Sequence, residues 1–154
     1  MIIRAATIED APAIFDIHCR SIRTLCAPDY TPEQVEAWVG GKTIENYIPR
    51  IKRDPTFVAL INHKTVGFVR FYVPTSELAS IFIDPNFARQ GIGTTLMARA
   101  IDEAKQLDLT HFWLDGSITA VSFYKSLGFI AEKEIIHHFP TISIPGIRMT
   151  LHFS

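Results

Sequence analysis

Cysteine is nearly absent from this sequence: Cys19 and Cys26 are the only two in 154 residues. They fall two helical turns apart on one face. That spacing suits reduced core or site-lining thiols rather than a disulfide framework. Basic excess is absent as well. Fifteen Lys and Arg stand against sixteen Asp and Glu, a formal net charge of -1. Nothing in that balance drives phosphate-backbone binding, which excludes nucleic acid as the main partner. No apolar run approaches the roughly 20 residues of a membrane span, so no membrane association is expected. The opening residues MIIRAATIED lack a long apolar run and meet acids at once, unlike a signal peptide. A cytoplasmic location follows as the expectation. No His, Cys or Asp set has metal-ligand spacing, so no metal is expected. Internal repeats, low-complexity tracts and linkers are missing, and the length suits one domain over residues 1–154. What the chain does have is core material: 47% hydrophobic residues against 20% charged, the balance of a folded globular protein.

Periodicity divides the chain. Ile2 to Ala5 is a short β-prone run. Thr7 with Asp10 starts a helix in capping-box fashion, and apolar residues at helical spacing carry it from about Ile8 to Leu25, with Pro12 in the tolerant first turn. Thr31-Pro32-Glu33-Gln34 opens a second helix to about Trp38, ended by Gly40-Gly41. A third runs from Thr43 to about Arg53. From Phe57 the pattern changes to β-branched and aromatic runs: Phe57 to Ile61, Val66 to Val73 and Leu78 to Ile83. Short turns join them, which predicts an antiparallel meander. A helix from about Gly91 to Leu107, a strand from Phe112 to Leu114, a helix from Ile118 to Leu127 and two strands, Ile130 to Phe139 and Ile147 to Phe153, complete the order. Gly128 serves as a helix C-cap.

Two segments carry chemistry. In IFIDPNFARQGIGTTLM a strand ends at Asp84-Pro85, a loop holds Gly91 and Gly93, and a helix begins. A helix start has free N–H groups and partial positive charge, and small residues let phosphate oxygens approach the backbone. The Lys-Ser/Thr of a phosphate-binding P-loop is missing, and so is the third glycine of a dinucleotide fingerprint, which disfavours a nucleotide-binding domain. In SITAVSFYKSLGF, Tyr124 lies beside Phe123 on the apolar face of a short helix, where a phenol needs a hydrogen-bond partner.

Together these motifs resemble the GNAT superfamily of N-acetyltransferases. The family's Gln/Arg-x-x-Gly-x-Gly/Ala signature aligns with Ala88 to Gly93, and its Asn-x-x-Ala-x-x-Phe-Tyr-x-x-x-Gly-Phe pattern aligns with Ser117 to Phe129. The element order matches over nearly the whole chain. The implied fold is α/β (α+β): a mixed, mostly antiparallel twisted sheet of about seven strands flanked by helices. Ala88 departs from the family's Gln or Arg, removing a side chain that steadies the loop. Ser117 stands where Asn is common, near the pantetheine arm.

The resemblance implies acetyl-coenzyme A as cosubstrate and direct attack by a primary amine of a small molecule or peptide. It places Arg89, Gln90, Gly91, Ile92, Gly93 and Thr94 at the phosphates. Phe82 and Ile83 supply backbone partners for the pantetheine arm, which lies between two splayed parallel strands, with Ser117 nearby. Tyr124 matches the family's general acid. Glu77, at the start of the strand beside the thioester, is the candidate base. A bound water, the carbonyls of the splay or one of His137 and His138 are alternatives, and strand alternation lets only one of that pair face the cleft. Tyr30, Trp38 and Tyr47, with His138 and the loop from Phe139 to Pro145, are expected at the acceptor. Bulky Phe82 and Phe123 favour acetyl over longer acyl groups. Relatives also pair into homodimers through strand edges or the final hairpin. The alternative function is a non-catalytic acyl-coenzyme A sensor or partner module.

Overall fold

A computed structural model describes residues 1–154. Strand β1 (Ile2–Ala5) leads into helices α1 (Ala11–Leu25), α2 (Pro32–Val39) and α3 (Ile44–Arg53). Strands β2 (Thr56–Ile61), β3 (Lys64–Tyr72) and β4 (Glu77–Ile83) follow. Helix α4 (Ile92–Gln106), strand β5 (His111–Gly116), helix α5 (Val121–Ser126) and strands β6 (Ile130–His138) and β7 (Ser143–His152) close the order.

Side chains near the starts of the first three helices satisfy backbone donors there, as the sequence indicates. Thr7 N–H donates to Asp10 Oδ2 at 2.8 Å ahead of α1. Gln34 N–H donates to Thr31 Oγ1 at 3.1 Å while Thr31 N–H donates to Gln34 Oε1 at 3.0 Å, a reciprocal capping box. Thr43 N–H donates to Asn46 Oδ1 at 2.9 Å.

The seven strands form one mixed sheet in the order β1-β2-β3-β4-β5-β7-β6. Every neighbouring pair is antiparallel except β4 and β5, which run parallel. Helices α4 and α5 cover one face over a core that includes Phe71, Leu96, Met97, Phe112, Leu114 and Met149. The first three helices cover the other, where Ile14, Ile17, Val58 and Phe68 form one cluster and Cys19, Ile22, Val35, Val39 and Ile144 a second. Phe71 and Phe112 are fully buried, a contribution of about 2–3 kcal/mol each. No helix is long and apolar enough to cross a membrane.

Strand β7 begins four residues earlier than the sequence pattern indicates, and it contains Pro145 and Gly146. Proline breaks a sheet ladder only where its missing N–H is needed. Pro145 pairs with Ile136 of β6, but β5 has already ended, since its last partner on β7 is Ile147. The Pro145 carbonyl instead accepts the Tyr30 hydroxyl at 3.0 Å, so its peptide edge faces a side with no strand.

Asp84, just past β4, is fully buried and locks α1 to the sheet. Arg20 grips it in a fork, at 3.1 Å and 2.8 Å, and Asn86 N–H donates to it at 2.9 Å. The Arg20 hydrogen bonds, ahead of the backbone bond, hold its pKa below the ordinary 3.8. A depressed folded pKa gives stability that is present above the unfolded value and lost as pH falls through the folded one. Asp84→Ala is expected to cost about 2–3 kcal/mol in denaturant unfolding at pH 7, because Arg20 and Asn86 lose their acceptor. That cost should shrink as pH falls below the unfolded value of 3.8 and vanish below the lower folded one, where the wild-type carboxylate takes up its proton.

Candidate active site

The anion-ready loop lies between Asp84 and α4. Arg89 and Gly91 both have left-handed backbone, with φ of +64° and +78°. Gly91 adopts this without strain, whereas a side chain there would be strained despite open space around it. These turns curl the loop into a cradle of N–H groups of the kind that binds anions. Thr95 N–H bonds back to Gly91 O at 3.1 Å, as does the Thr95 hydroxyl at 3.0 Å. The N–H groups of residues 91–94 ahead of it are the free donors of a helix start. Arg89, Gln90, Gly91 and Thr94 are exposed around this cradle, while Ile92 and Gly93 are buried. A Cβ at Gly93 would come within 2.9 Å of Phe123 Cζ, so glycine there lets α5 pack against the start of α4.

Below the loop the sheet opens. β4 and β5 share one paired position, Glu77 with Trp113, and Trp113 N–H donates to Ser76 O at 3.2 Å. Beyond it β4 stays with β3 and β5 stays with β7, so the two parallel strands diverge toward their C-terminal ends. Strand alternation decides which peptide groups line this gap. Asp84 N–H donates to Val66 O on the β3 side at 2.8 Å. Phe82 therefore also turns its peptide groups to β3, and Ile81 and Ile83 turn theirs to the gap. The sequence reading paired Phe82 with Ile83. The parity of the strand replaces Phe82 with Ile81, and the Phe82 side chain packs under the first helices. Within the gap Ser21 of α1 donates to the Ile83 carbonyl at 2.5 Å.

Tyr124 stands at the α5 side of the gap. It is buried, with Phe123 and Phe129 rings at 5.4 Å and 5.5 Å. Burial raises its pKa, and the one titratable group that acts on it is Cys26, at the end of α1. Cys26 in turn has its own pKa raised by burial, with the neighbouring Thr119 and Ser117 hydroxyls opposing that rise. Ser117, Cys26 and Tyr124 thus gather beyond the end of β5. The two cysteines of the sequence diverge in role: both are unpaired and buried, but only Cys26 reaches this group.

Glu77 occupies the closed end of the gap and is half-buried. Burial first, then Asp115, raises its pKa, with Arg70 and Arg148 opposing. Asp115 is itself gripped by Arg148 at 2.7 Å and 2.9 Å.

The aromatics expected at the acceptor divide into two groups. Tyr30 is buried, and its hydroxyl accepts Ile118 N–H at 2.7 Å while donating to Pro145. It therefore ties the segment before α2 to β7 and leaves little to offer a ligand. Trp38 packs edge-on against Tyr30 at 5.5 Å and lies 5.8 Å from His137. Of the histidine pair it is His137 that turns inward, its Nε2 against Gly146. His138 is exposed and lies 3.3 Å from the Ser143 hydroxyl. Tyr47 belongs elsewhere, buried under α1 beside His18.

Comparison with known proteins agrees with this geometry. The family model described as an acetyltransferase (GNAT) domain matches residues 26–150. An uncharacterized N-acetyltransferase of Methanocaldococcus jannaschii is 29% identical over 146 residues, 87% of this chain and 62% of that protein. The ribosomal protein bS18-alanine N-acetyltransferase of Escherichia coli is 32% identical over 85 residues, 52% of this chain and 57% of that protein. The chain thus spans less than two thirds of these relatives. Among solved structures, a GCN5-related N-acetyltransferase from Rhodopseudomonas palustris superposes with a TM-score of 0.92 at 24% identity, covering 99% of this chain and 95% of that one. The PaiA N-acetyltransferase from Thermoplasma acidophilum, in complex with coenzyme A, gives 0.83 at 21% identity, covering 99% and 98%. At these identities the superpositions establish the shared fold; the matched family model carries the assignment further, and the chain belongs to the GNAT family of acetyltransferases.

Proposed function

We propose that this chain transfers the acetyl group of acetyl-coenzyme A to a primary amine of a small molecule or peptide. The observation that carries the reading is the gap between β4 and β5. It opens from one paired position toward the free N–H groups ahead of α4, with the Tyr124 side chain beside it. The relatives support the reading: the Thermoplasma protein holds coenzyme A, and the Escherichia coli protein is named for acetylating an alanine of a ribosomal protein. Both cysteines are unpaired and buried, which suits the reducing cytoplasm.

The bound coenzyme supplies an activated thioester; the rest is done by the chain. The N–H groups of residues 91–94, with Arg89 and Gln90 beside them, hold the pyrophosphate through partial and full positive charge. Gap-facing N–H groups of Ile81 and Ile83 align the arm, and such a donor polarises the thioester carbonyl as charge develops on its oxygen. Glu77 removes a proton from the attacking amine, directly or through one water. Tyr124 donates its phenolic proton to the departing thiolate. Burial raises its pKa, which keeps that proton in place until it is needed.

Turnover is tested by thiol release from acetyl-coenzyme A in the presence of an alanine-initiated peptide or a polyamine. Amine-dependent release supports transfer; coenzyme binding with no release from any amine would favour the sensor module instead. Glu77→Gln is expected to lower kcat/KM about 10²-fold. The carboxylate is the active form and its pKa lies above 4.5, so wild-type activity rises with pH through that raised value. Glu77→Gln should lose that acid limb of the pH profile; a limb that survives the substitution assigns the base elsewhere.

A further inference from the structure

Helix α1 roofs the gap between β4 and β5. His18 stacks on Phe82 with ring centroids 4.3 Å apart, Ser21 donates to Ile83 O, and Cys26 meets Ser117 and Thr119. His18 is buried, and its Nδ1 lies 2.8 Å from the Tyr47 hydroxyl. Its Nε2 has no partner in the chain. That atom is not sealed away either, for the one side-chain nitrogen or oxygen both sealed and unpaired is His137 Nε2. Burial first, then Lys42, Arg70 and Arg50, lowers the His18 pKa to about 3. The ring is therefore neutral at pH 7; in the tautomer that donates Nδ1–H to the Tyr47 hydroxyl, Nε2 presents a lone pair. A cavity of about 320 Å³ opens beside the next residue, Cys19, and is also lined by Phe15 and Lys42. Phe15 packs edge-on to Tyr47 at 6.1 Å, so one wall of this cavity backs onto the His18–Tyr47 pair.

We propose that His18, clamped by Tyr47, receives the acceptor: its Nε2 accepts a hydrogen bond from the amine and holds the nitrogen beside Phe82, facing the gap. The inference rests on the acyltransferase reading of the same site. Its consequence for substrate class is that the amine is presented to a neutral acceptor group rather than a carboxylate. A neutral acceptor positions the nitrogen by hydrogen bonding without the charge attraction a carboxylate would add, and Glu77 at the closed end of the gap takes the proton.

The test uses the full chain with L-alaninamide as probe amine and compares wild type, His18→Phe, His18→Gln and Tyr47→Phe. Phenylalanine keeps the aromatic packing and removes the acceptor, while glutamine loses the packing and can place an amide oxygen near the Nε2 position. His18→Phe should raise KM for alaninamide about tenfold, the loss of one hydrogen bond. KM for acetyl-coenzyme A should stay within roughly twofold, with His18→Gln recovering most of the loss and Tyr47→Phe falling between. If His18→Phe keeps its amine KM while His18→Gln loses it, the ring is packing only and the proposal is overturned. Should the probe be a poor substrate, or a variant fail to fold, the His18 Hε1–Cε1 resonance of coenzyme-saturated wild type is followed during alaninamide titration. A saturable shift supports the contact and an unmoved resonance overturns it. A wild type that does not bind the coenzyme overturns the acyltransferase reading and this one with it, whereas bound coenzyme with no effect at His18 overturns this one alone.

Discussion

Tyr124→Phe is expected to lower kcat about 10²-fold while leaving acetyl-coenzyme A affinity nearly unchanged. The hydroxyl has no acceptor within the chain, so its removal breaks no intramolecular hydrogen bond. The ring keeps its contacts with Phe123 and Phe129. Stability should hold, because the hydroxyl has no partner in the chain to lose and is not sealed from solvent. What disappears is the proton for the leaving thiolate. Cys26, the one titratable group that influences Tyr124, has its own pKa raised by burial and so gives up a proton less readily than an ordinary thiol. Steady-state kinetics with calorimetric binding on the same preparation separates the two effects. Wild-type kcat in a well-folded Tyr124→Phe protein would remove the phenol from the acid role.

Gly91→Glu is expected to weaken acetyl-coenzyme A binding at least about 100-fold. Two effects act together. A left-handed φ of +78° costs a residue with a Cβ about 1 kcal/mol or more. A carboxylate is also set where the pyrophosphate should lie, replacing attraction to the helix start by repulsion. No atom lies within 4 Å of a Cβ at this position, so the fold should survive and melting should shift by only a few degrees. Retained affinity in the variant would move the phosphates off this loop.

Most of the architecture is readable from periodicity and punctuation. Thr7, Thr31 and Thr43 announce helices because a short side-chain oxygen near a helix start satisfies donors that nothing else reaches. The meander is readable because Asn62-His63-Lys64 and Pro74-Thr75-Ser76 separate β-branched runs. Pro145 and Gly146 mislead for a reason outside their own segment: whether proline damages a ladder depends on which neighbour strand is still present. The same limit applies within the site. Residues in the two motifs, Gly91 and Tyr124 among them, carry their own spacing. The choice between Ile81 and Phe82 depends on the parity of β4 against β3, and a bulge near Arg70 and Phe71 obscures it in the sequence. His137 and His138 pose the same question of parity, and His137 turns inward. His18 and Ser21 look like ordinary residues of an amphipathic helix; only the crossing of α1 over the gap gives them a partner. Asp84 reads as a strand terminator until Arg20, distant in sequence, closes on it.

The central claim is that the loop before α4 and the gap between β4 and β5 hold acetyl-coenzyme A. Calorimetric titration of the wild-type chain with acetyl-coenzyme A tests it most directly, with desulfo-coenzyme A as a second titrant that keeps the phosphates and arm but lacks the thiol. Saturable binding of both at one site per chain is the expected result, and it justifies the amine screen. A well-folded chain that binds neither would contradict the claim, leaving a protein that keeps the fold without its coenzyme.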